Sequence, residues 1–378
     1  MQTEFTEDQQ HFREVVSKFM EAKSTPVDVR RLMETEQGFD EGVWKQLSEE
    51  VGLAGTHIPE AYGGFGFGPV ELGIVAEEMG RHLYCGPFFS SSVMAGSALL
   101  YGGTESAKQR LLPDIASGAV IGTLVLDSLD APDKLGHALT VDASGNLNGT
   151  ARIVVDAVNA SLLVIVASTE DGLGLFATSP TAAGIVIEAH ESLDATRKIA
   201  SVSFSSTPVE SIGQLASENV DQIWNAISIA LSHEMIGGAQ RLFDTTVDYT
   251  KVRVQFGRPI GSFQALKHRC ADLLMTLEFT RAAVHHAAFV QADKTDNYSA
   301  SSAKAMASDT YMEAARAAVQ LRGGIGFTWE EDTHLWFKRA KSAEVMMGSA
   351  QMHRERMMAS IDRLERIESQ AIAGEASA

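Results

Sequence analysis

The sequence predicts an α+β chain in which helices come first, strands follow and helices return. Three observations predict it. Apolar residues recur at helical spacing across residues 4–118. Short Val- and Ile-rich runs divided by turn signals fill 119–212. Helical spacing resumes from 217 and holds to 369. The expected domains are therefore 1–118, 119–212 and 213–378.

Each element has its own reason. Thr6 with Gln9 makes a capping-box pattern at the start of the first helix. The Gly-rich stretch Ile58 to Pro69 reads as a loop, and an apolar-periodic run follows it through Met79. In the middle region the strand candidates are Val120 to Leu126, Ile153 to Val155, Leu162 to Ala167, Gly184 to Ile187 and Val202 to Phe204. Ser144-Gly145, Asn148-Gly149 and Asp171-Gly172 read as the turns between strands, which suggests a small antiparallel barrel or sandwich. In the last region Ile227, Leu231, Met235 and Leu242 share one helix face, and Leu266, Cys270, Leu274, Leu277 and Val284 share another. The Ala-rich run from Ala300 to Val319 suits closely packed helices, and the small polar tail after Glu368 predicts a frayed end.

Composition excludes several classes. A formal net charge of −18 disfavours nucleic acid, whose binding rests on Lys and Arg neutralising phosphates. It leaves room for a local basic cluster that holds a nucleotide. No apolar run approaches the ~20 residues needed to span a bilayer, so no membrane partner is expected. The acidic start, Met1 to Asp8, has no basic region with an apolar core and is not read as a signal peptide. Cys85 and Cys270 are too few and too far apart for a disulfide framework or a zinc ribbon, and both read as buried small hydrophobes. A cytoplasmic location is expected.

Other features have bland readings. The loop Gly63-Gly64-Phe-Gly66-Phe-Gly68 lacks the Lys and hydroxyl of a phosphate-binding loop and reads as a structural turn. His285 and His286 are adjacent, not four apart, so they read as a helix surface and no metal site is expected. Met346, Met347, Met352, Met357 and Met358 read as core or pocket lining.

Two C-terminal segments carry most of the information. The first is Arg253-Val-Gln255-Phe256-Gly257-Arg258-Pro259-Ile260-Gly261-Ser262-Phe263-Gln264. The second is Gln320-Leu-Arg-Gly323-Gly324-Ile-Gly326-Phe327. Together they resemble the flavin-nucleotide segments of the acyl-CoA dehydrogenase family. Gly52 to Gly55, Pro59 to Gly66 and Gly103 to Gly118 are similar to its N-terminal signatures, so the resemblance covers most of the chain. It implies an N-terminal helical domain, a middle β domain, a C-terminal four-helix bundle, FAD as cofactor and an acyl-CoA as substrate.

The resemblance also implies roles. Arg253 offers a planar fork of donors to a pyrophosphate. Phe256 packs on an apolar part of the cofactor, and Gln264 bonds polar edges of the nucleotide. Gly323 and Gly324 let backbone N–H groups come close to it. Gln255, Phe263 and Gln320 belong to the same motifs. In the family these residues reach across an interface to FAD held mainly by the neighbouring subunit. Ser349 and Gln351 match a Thr and a Gln that also touch the cofactor.

The departures matter as much. Where the family reads Tyr-Glu-Gly-Thr, with the Glu as base, this chain reads Met346-Met347-Gly348-Ser349. The alternative base position falls near Ile227, whose neighbours Asn225 and Ser228 are not carboxylates. Methionine cannot take an α-proton. Glu344 is the nearest substitute in sequence, about a turn away. The segments that surround the flavin ring in active members read Leu126 to Leu135 and Ile153-Val154-Val155-Asp156 here. No catalytic residue is therefore assigned. The resemblance is to the base-lacking subunit of bacterial α2β2 acyl-CoA dehydrogenases of steroid side-chain degradation. It implies a paralogous partner subunit that supplies base and ring site. A homo-oligomeric flavoenzyme of altered chemistry and a non-catalytic scaffold of the same fold are the alternatives.

Overall fold

The fold comes from a computed structural model that describes residues 5–293 and 298–375. Helix α1 (Glu7–Lys23) starts at the Thr6 capping box, with Thr6 Oγ1 accepting from Gln9 N and Gln9 Oε1 accepting from Thr6 N. Helices α2 (Pro26–Met33) and α3 (Glu41–Lys45) are capped by Thr25 and Asp40. The glycine-rich stretch is a loop, and α4 (Pro69–Arg81) begins with its proline in the first turn, where the missing N–H costs nothing. Helices α5 (Gly96–Gly102) and α6 (Glu105–Ala116) complete the first region.

The middle region holds β1 (Gly122–Val125), β2 (Leu139–Val141), β3 (Asn146–Val155), β4 (Leu162–Thr169), β5 (Gly172–Thr178), β6 (Ile185–His190), β7 (Ile199–Pro208) and β8 (Glu210–Gln214). They form one sheet in the order β6-β7-β3-β2-β4-β5-β8, with β1 also pairing β4. Most pairs are antiparallel; β1 and β2 run parallel to β4. The pairing does not close between β6 and β8, and the β3–β7 half and the β4–β5 half share one buried cluster, with Leu147, Ala151 and Val202 from the first and Leu163, Ile165 and Phe176 from the second. Asn148-Gly149 is not a turn. Gly149, at φ +124, sits inside β3 at a register shift, where a Cβ would collide with the Ala138 carbonyl. The ten-residue strand thus continues and joins the β2 side of the sheet to the β7 side.

The C-terminal region holds α7 (Ser217–Val252), a two-residue hairpin of β9 (Val254–Gln255) and β10 (Arg258–Pro259), α8 (Gln264–Asp293), α9 (Ser299–Arg322), α10 (Thr333–Val345) and α11 (Ala350–Glu375). Ile227, Leu231, Met235 and Leu242 are buried as their spacing predicts. In α8 the buried stripe is Leu273, Leu277 and Val284; Leu274 is 41% exposed and Cys270 only half-buried. The stripe keeps Leu277 and Val284 of the expected face and takes Leu273 in place of Leu274. Leu274, Met275 and Phe279 are left facing out. The tail expected to fray continues α11 to Glu375, and residues 376–378 lie outside the described ones. Between the first region and the bundle, α4 and α7 cross at glycines. A Cβ on Gly80 would strike the Glu234 carbonyl, and one on Gly237 the Glu77 carbonyl. Among the described residues no helix is long and apolar enough to cross a membrane.

Candidate functional site

The two nucleotide motifs meet at one end of the bundle. Helix α7 ends at Arg253, whose N–H donates to the Tyr249 carbonyl. The chain turns back at Phe256-Gly257, both at positive φ, and Ile260 N–H donates to the Arg253 carbonyl at 2.8 Å. Helix α9 ends at Arg322. That buried guanidinium donates to Thr246 Oγ1 of α7 at 2.6 Å and to Glu331 Oε1 at 3.0 Å. The contact ties the Gly323-Gly324 loop to the end of α7. Nothing in the sequence singled out Arg322 or Thr246 for this work.

The expected contact residues there are open. Arg253, Gln255, Gln264, Gln320, Gly323 and Gly324 are exposed, and Phe256 is 90% exposed. Phe263 is half-buried, with the Arg258 guanidinium 4.1 Å above its ring. Among the described residues the Arg253 guanidinium has no side-chain partner. Gly323 lies at φ +67, and a Cβ at Gly323 or Gly324 would meet nothing within 4 Å, so backbone is presented to open space. An unpaired guanidinium beside bare backbone suits the pyrophosphate end of a dinucleotide.

Ser349 and Gln351 are not in that group. Ser349 Oγ accepts from Met352 N–H at the start of α11, and Gln351 bonds Glu355 on the helix surface. A second feature is a cavity of about 470 Å³ between the sheet and α10. Its apolar lining includes Leu126, Leu129, Ile153, Leu193, Val345 and Met346. The two segments expected round the flavin ring and the loop at the base position therefore do come together.

Several polar groups in this cavity and behind its wall are already committed. Asp127 accepts from the N–H groups of Gly136 and Ala138 at 3.0 and 2.6 Å. Arg197 donates to both oxygens of Glu234 at 2.8 and 2.7 Å. Arg339 donates to Asp194 and Glu234, each at 2.9 Å, and to Thr196. Burial would raise the Asp194 and Glu234 carboxyls, but these guanidiniums and hydroxyls outweigh it and hold both below their ordinary values. Carboxylates so held are poor proton acceptors. Asp156 is the opposite case. Burial pushes its carboxyl up to about 6 despite Ser90 Oγ donating at 2.7 Å, but it faces a void of only about 20 Å³, too small for a substrate.

The base positions are closed. Met347 and Ile227 are fully buried, and the Met347 backbone carbonyl is bonded by the His353 ring at 2.7 Å. Glu344 does not substitute: Lys341 pairs with it at 2.6 Å, and it does not line the cavity. Nor is His285 a surface residue. Its ring turns inward against Glu77 and packs on Phe5.

Fold and site together define a helical region, a sheet and a helical bundle of flavin-dehydrogenase plan, with Met347 and Ile227 buried at the positions where a carboxylate base was expected. Residues 6–119 match the acyl-CoA dehydrogenase N-terminal domain and residues 225–361 the C-terminal domain. Acyl-CoA dehydrogenase IpdE2 of Mycobacterium tuberculosis is 35% identical over 352 residues, 91% of this chain and 94% of that protein. IpdE2 of Mycolicibacterium smegmatis is 32% identical over 356 residues, 94% of this chain and 99% of that one. Among solved structures, the ChsE4–ChsE5 complex from Mycobacterium tuberculosis superposes with a TM-score of 0.88 at 26% identity, covering 96% of this chain and 99% of that one. A Tcur3481–Tcur3483 steroid ACAD variant gives 0.86 at 27%, covering 95% and 99%. The chain belongs to the acyl-CoA dehydrogenase family, FAD-dependent oxidoreductases acting on CH–CH donors.

Proposed function

We propose that this chain is the base-lacking subunit of a cytoplasmic heteromeric acyl-CoA dehydrogenase, paired with a paralogous subunit as α2β2. When bound, the flavin supplies the hydride-accepting chemistry of α,β-desaturation of an acyl-CoA thioester. Arg253, Gln255, Phe256, Phe263, Gln264, Gln320, Gly323 and Gly324 hold the nucleotide end of FAD whose ring lies in the partner. Ser349 and Gln351, at the start of α11, add the remaining contacts to the cofactor. The partner supplies the carboxylate that removes the α-proton, since Met347 and Ile227 cannot.

One contrast carries the reading. The nucleotide-end group is open and unpaired, while both base positions are buried apolar side chains. The outward-facing Leu274, Met275 and Phe279 of α8 make an apolar helix face that suits a partner. Two structural neighbours are themselves named as pairs, and one of them as a steroid ACAD. A bulky thioester such as a sterol side-chain CoA is thus the substrate class. The test is flavin content of the chain expressed alone and with its paralogue. Flavin held only in the co-complex supports the proposal. Flavin held by the lone chain favours the homo-oligomeric enzyme, and none in either favours the scaffold.

A further inference from the structure

A cluster at the seam between α4 and the bundle takes no part in this function. Helices α4, α7 and α8 meet there, and each contributes one side chain able to bind a metal: Glu77, His233 and His285. The close crossing at Gly80 and Gly237 brings α4 and α7 near enough for this. The three donor atoms lie within 4.8 Å of one another. Glu77 Oε2 is 3.0 Å from His285 Nε2 and 3.8 Å from His233 Nδ1. A tetrahedral zinc ion with bonds of about 2.0–2.1 Å holds its donors about 3.3 Å apart, and the two distances bracket that value.

His233 provides a second, independent observation. Its ring is fully buried, and neither nitrogen has a hydrogen-bond partner. At 3.8 Å its approach to Glu77 is too long for a hydrogen bond. A buried polar group left unpaired is costly, and a metal ion at Nδ1 would relieve it for that nitrogen. The ring enters because residue 73 is glycine; a Cβ there would lie 2.5 Å from Nε2. The His233 and His285 rings are stacked, 5.3 Å apart and 12° from parallel.

The surrounding charges permit a cation. Arg13 and Arg281 both donate to Glu77 Oε1, which leaves Oε2 facing the two histidines. Arg13 also pairs with Glu78, and Arg281 also reaches Gln240 and Glu278. Two guanidiniums are thus matched by Glu77 and Glu78 before any ion enters. Burial would raise the Glu77 carboxyl, but His285 and the two arginines outweigh it and hold it well below the usual range, so it is ionised as a ligand must be. Burial pushes His233 down to about 4, which leaves a neutral ring with a free lone pair at neutral pH. The His285 side chain is 13% exposed and Arg13 30%, so the seam has an entrance.

We propose that Glu77, His233 and His285 bind one divalent first-row transition ion, zinc foremost, with water completing the coordination. The ion would pin α4 to α7 and α8. This inference does not rest on the proposed enzymatic role. The test uses the full chain without a histidine tag, stripped with a chelator and then titrated with Co²⁺. The visible d–d absorption of bound cobalt is followed, together with Tm as Zn²⁺ is added. The expected result is saturation at one cobalt per chain, displacement by zinc and a zinc-dependent rise in Tm. His285→Gln, at the edge of the seam, should lose at least nine-tenths of the uptake and the zinc effect while staying folded. His233→Leu, which fills the ring's space with apolar atoms, should do the same. No saturable cobalt spectrum in the wild type would overturn the proposal, as would equal uptake by wild type and both variants.

Discussion

Arg253→Ala should strip flavin from the assembled complex without unfolding this chain. The backbone of Arg253 does the local structural work: its N–H donates to Tyr249 at 2.9 Å and its carbonyl accepts from Ile260 at 2.8 Å. Both bonds survive loss of the side chain. The guanidinium itself is exposed and has no partner among the described residues, so folding stability should move by no more than about 0.5 kcal/mol. Its expected contact is the pyrophosphate. A charge-assisted hydrogen bond is worth roughly 1.5–3 kcal/mol, or about one to two decades in FAD affinity. Arg253→Lys should recover only part of this, because an ammonium lacks the planar fork. The assay is FAD dissociation from the co-purified complex, read by flavin fluorescence, beside the Tm of each variant. If Ala and Lys variants both hold flavin as tightly as wild type, Arg253 is an interface residue and the reasoning fails. A fall in Tm that tracks the flavin loss would refute it equally.

Two further outcomes follow from the same structure. The lone chain should not oxidise acyl-CoA substrates, and Met347→Glu should not create turnover by itself, because Asp127, Asp194 and Arg197 at the cavity stay committed to partners within the fold; brisk turnover of either protein in a dye-reduction assay would contradict this. A general base contributes on the order of 10²–10⁴-fold, so its absence alone makes turnover slow. Asp156→Asn should stabilise the fold at neutral pH. The carboxyl moves from an ordinary 3.8 to about 6 on folding, so its ionised form costs about 3 kcal/mol. Stability tied to this group is complete below 3.8 and declines as pH rises through about 6. The variant should therefore gain a few degrees in Tm at neutral pH and nothing at pH values below 3.8, and an equal gain at both would exclude the titration.

Much of the fold was legible because local signals agreed with the final packing. The Thr6–Gln9 capping box and the buried stripe from Ile227 to Leu242 are found as read. Asn148-Gly149 misled because a bulge and a hairpin turn both call for glycine at positive φ, and only the long-range pairing of β3 decides between them. Leu274 sat at the margin of its helical stripe, where Leu273 takes its place. Strands β2, β5 and β8 went unread because two are very short and β5 carries glycines that weaken its apolar signal. Motif likeness named the residues proposed for the nucleotide end, but not the Arg322–Thr246 bond that ties the second motif to α7. The Arg197–Glu234–Arg339–Asp194 network and the Glu77–His233–His285 cluster join residues from distant segments. A single sequence carries no sign of such pairings.

The central claim is that a complete flavin position needs a ring site from a partner and a nucleotide-end site from this chain. Its most direct test is flavin stoichiometry against mass in the complex co-purified with the paralogous subunit. The account predicts an α2β2 assembly with one FAD for each αβ pair. One FAD for every polypeptide would show that this chain's own ring cavity works, and would contradict it.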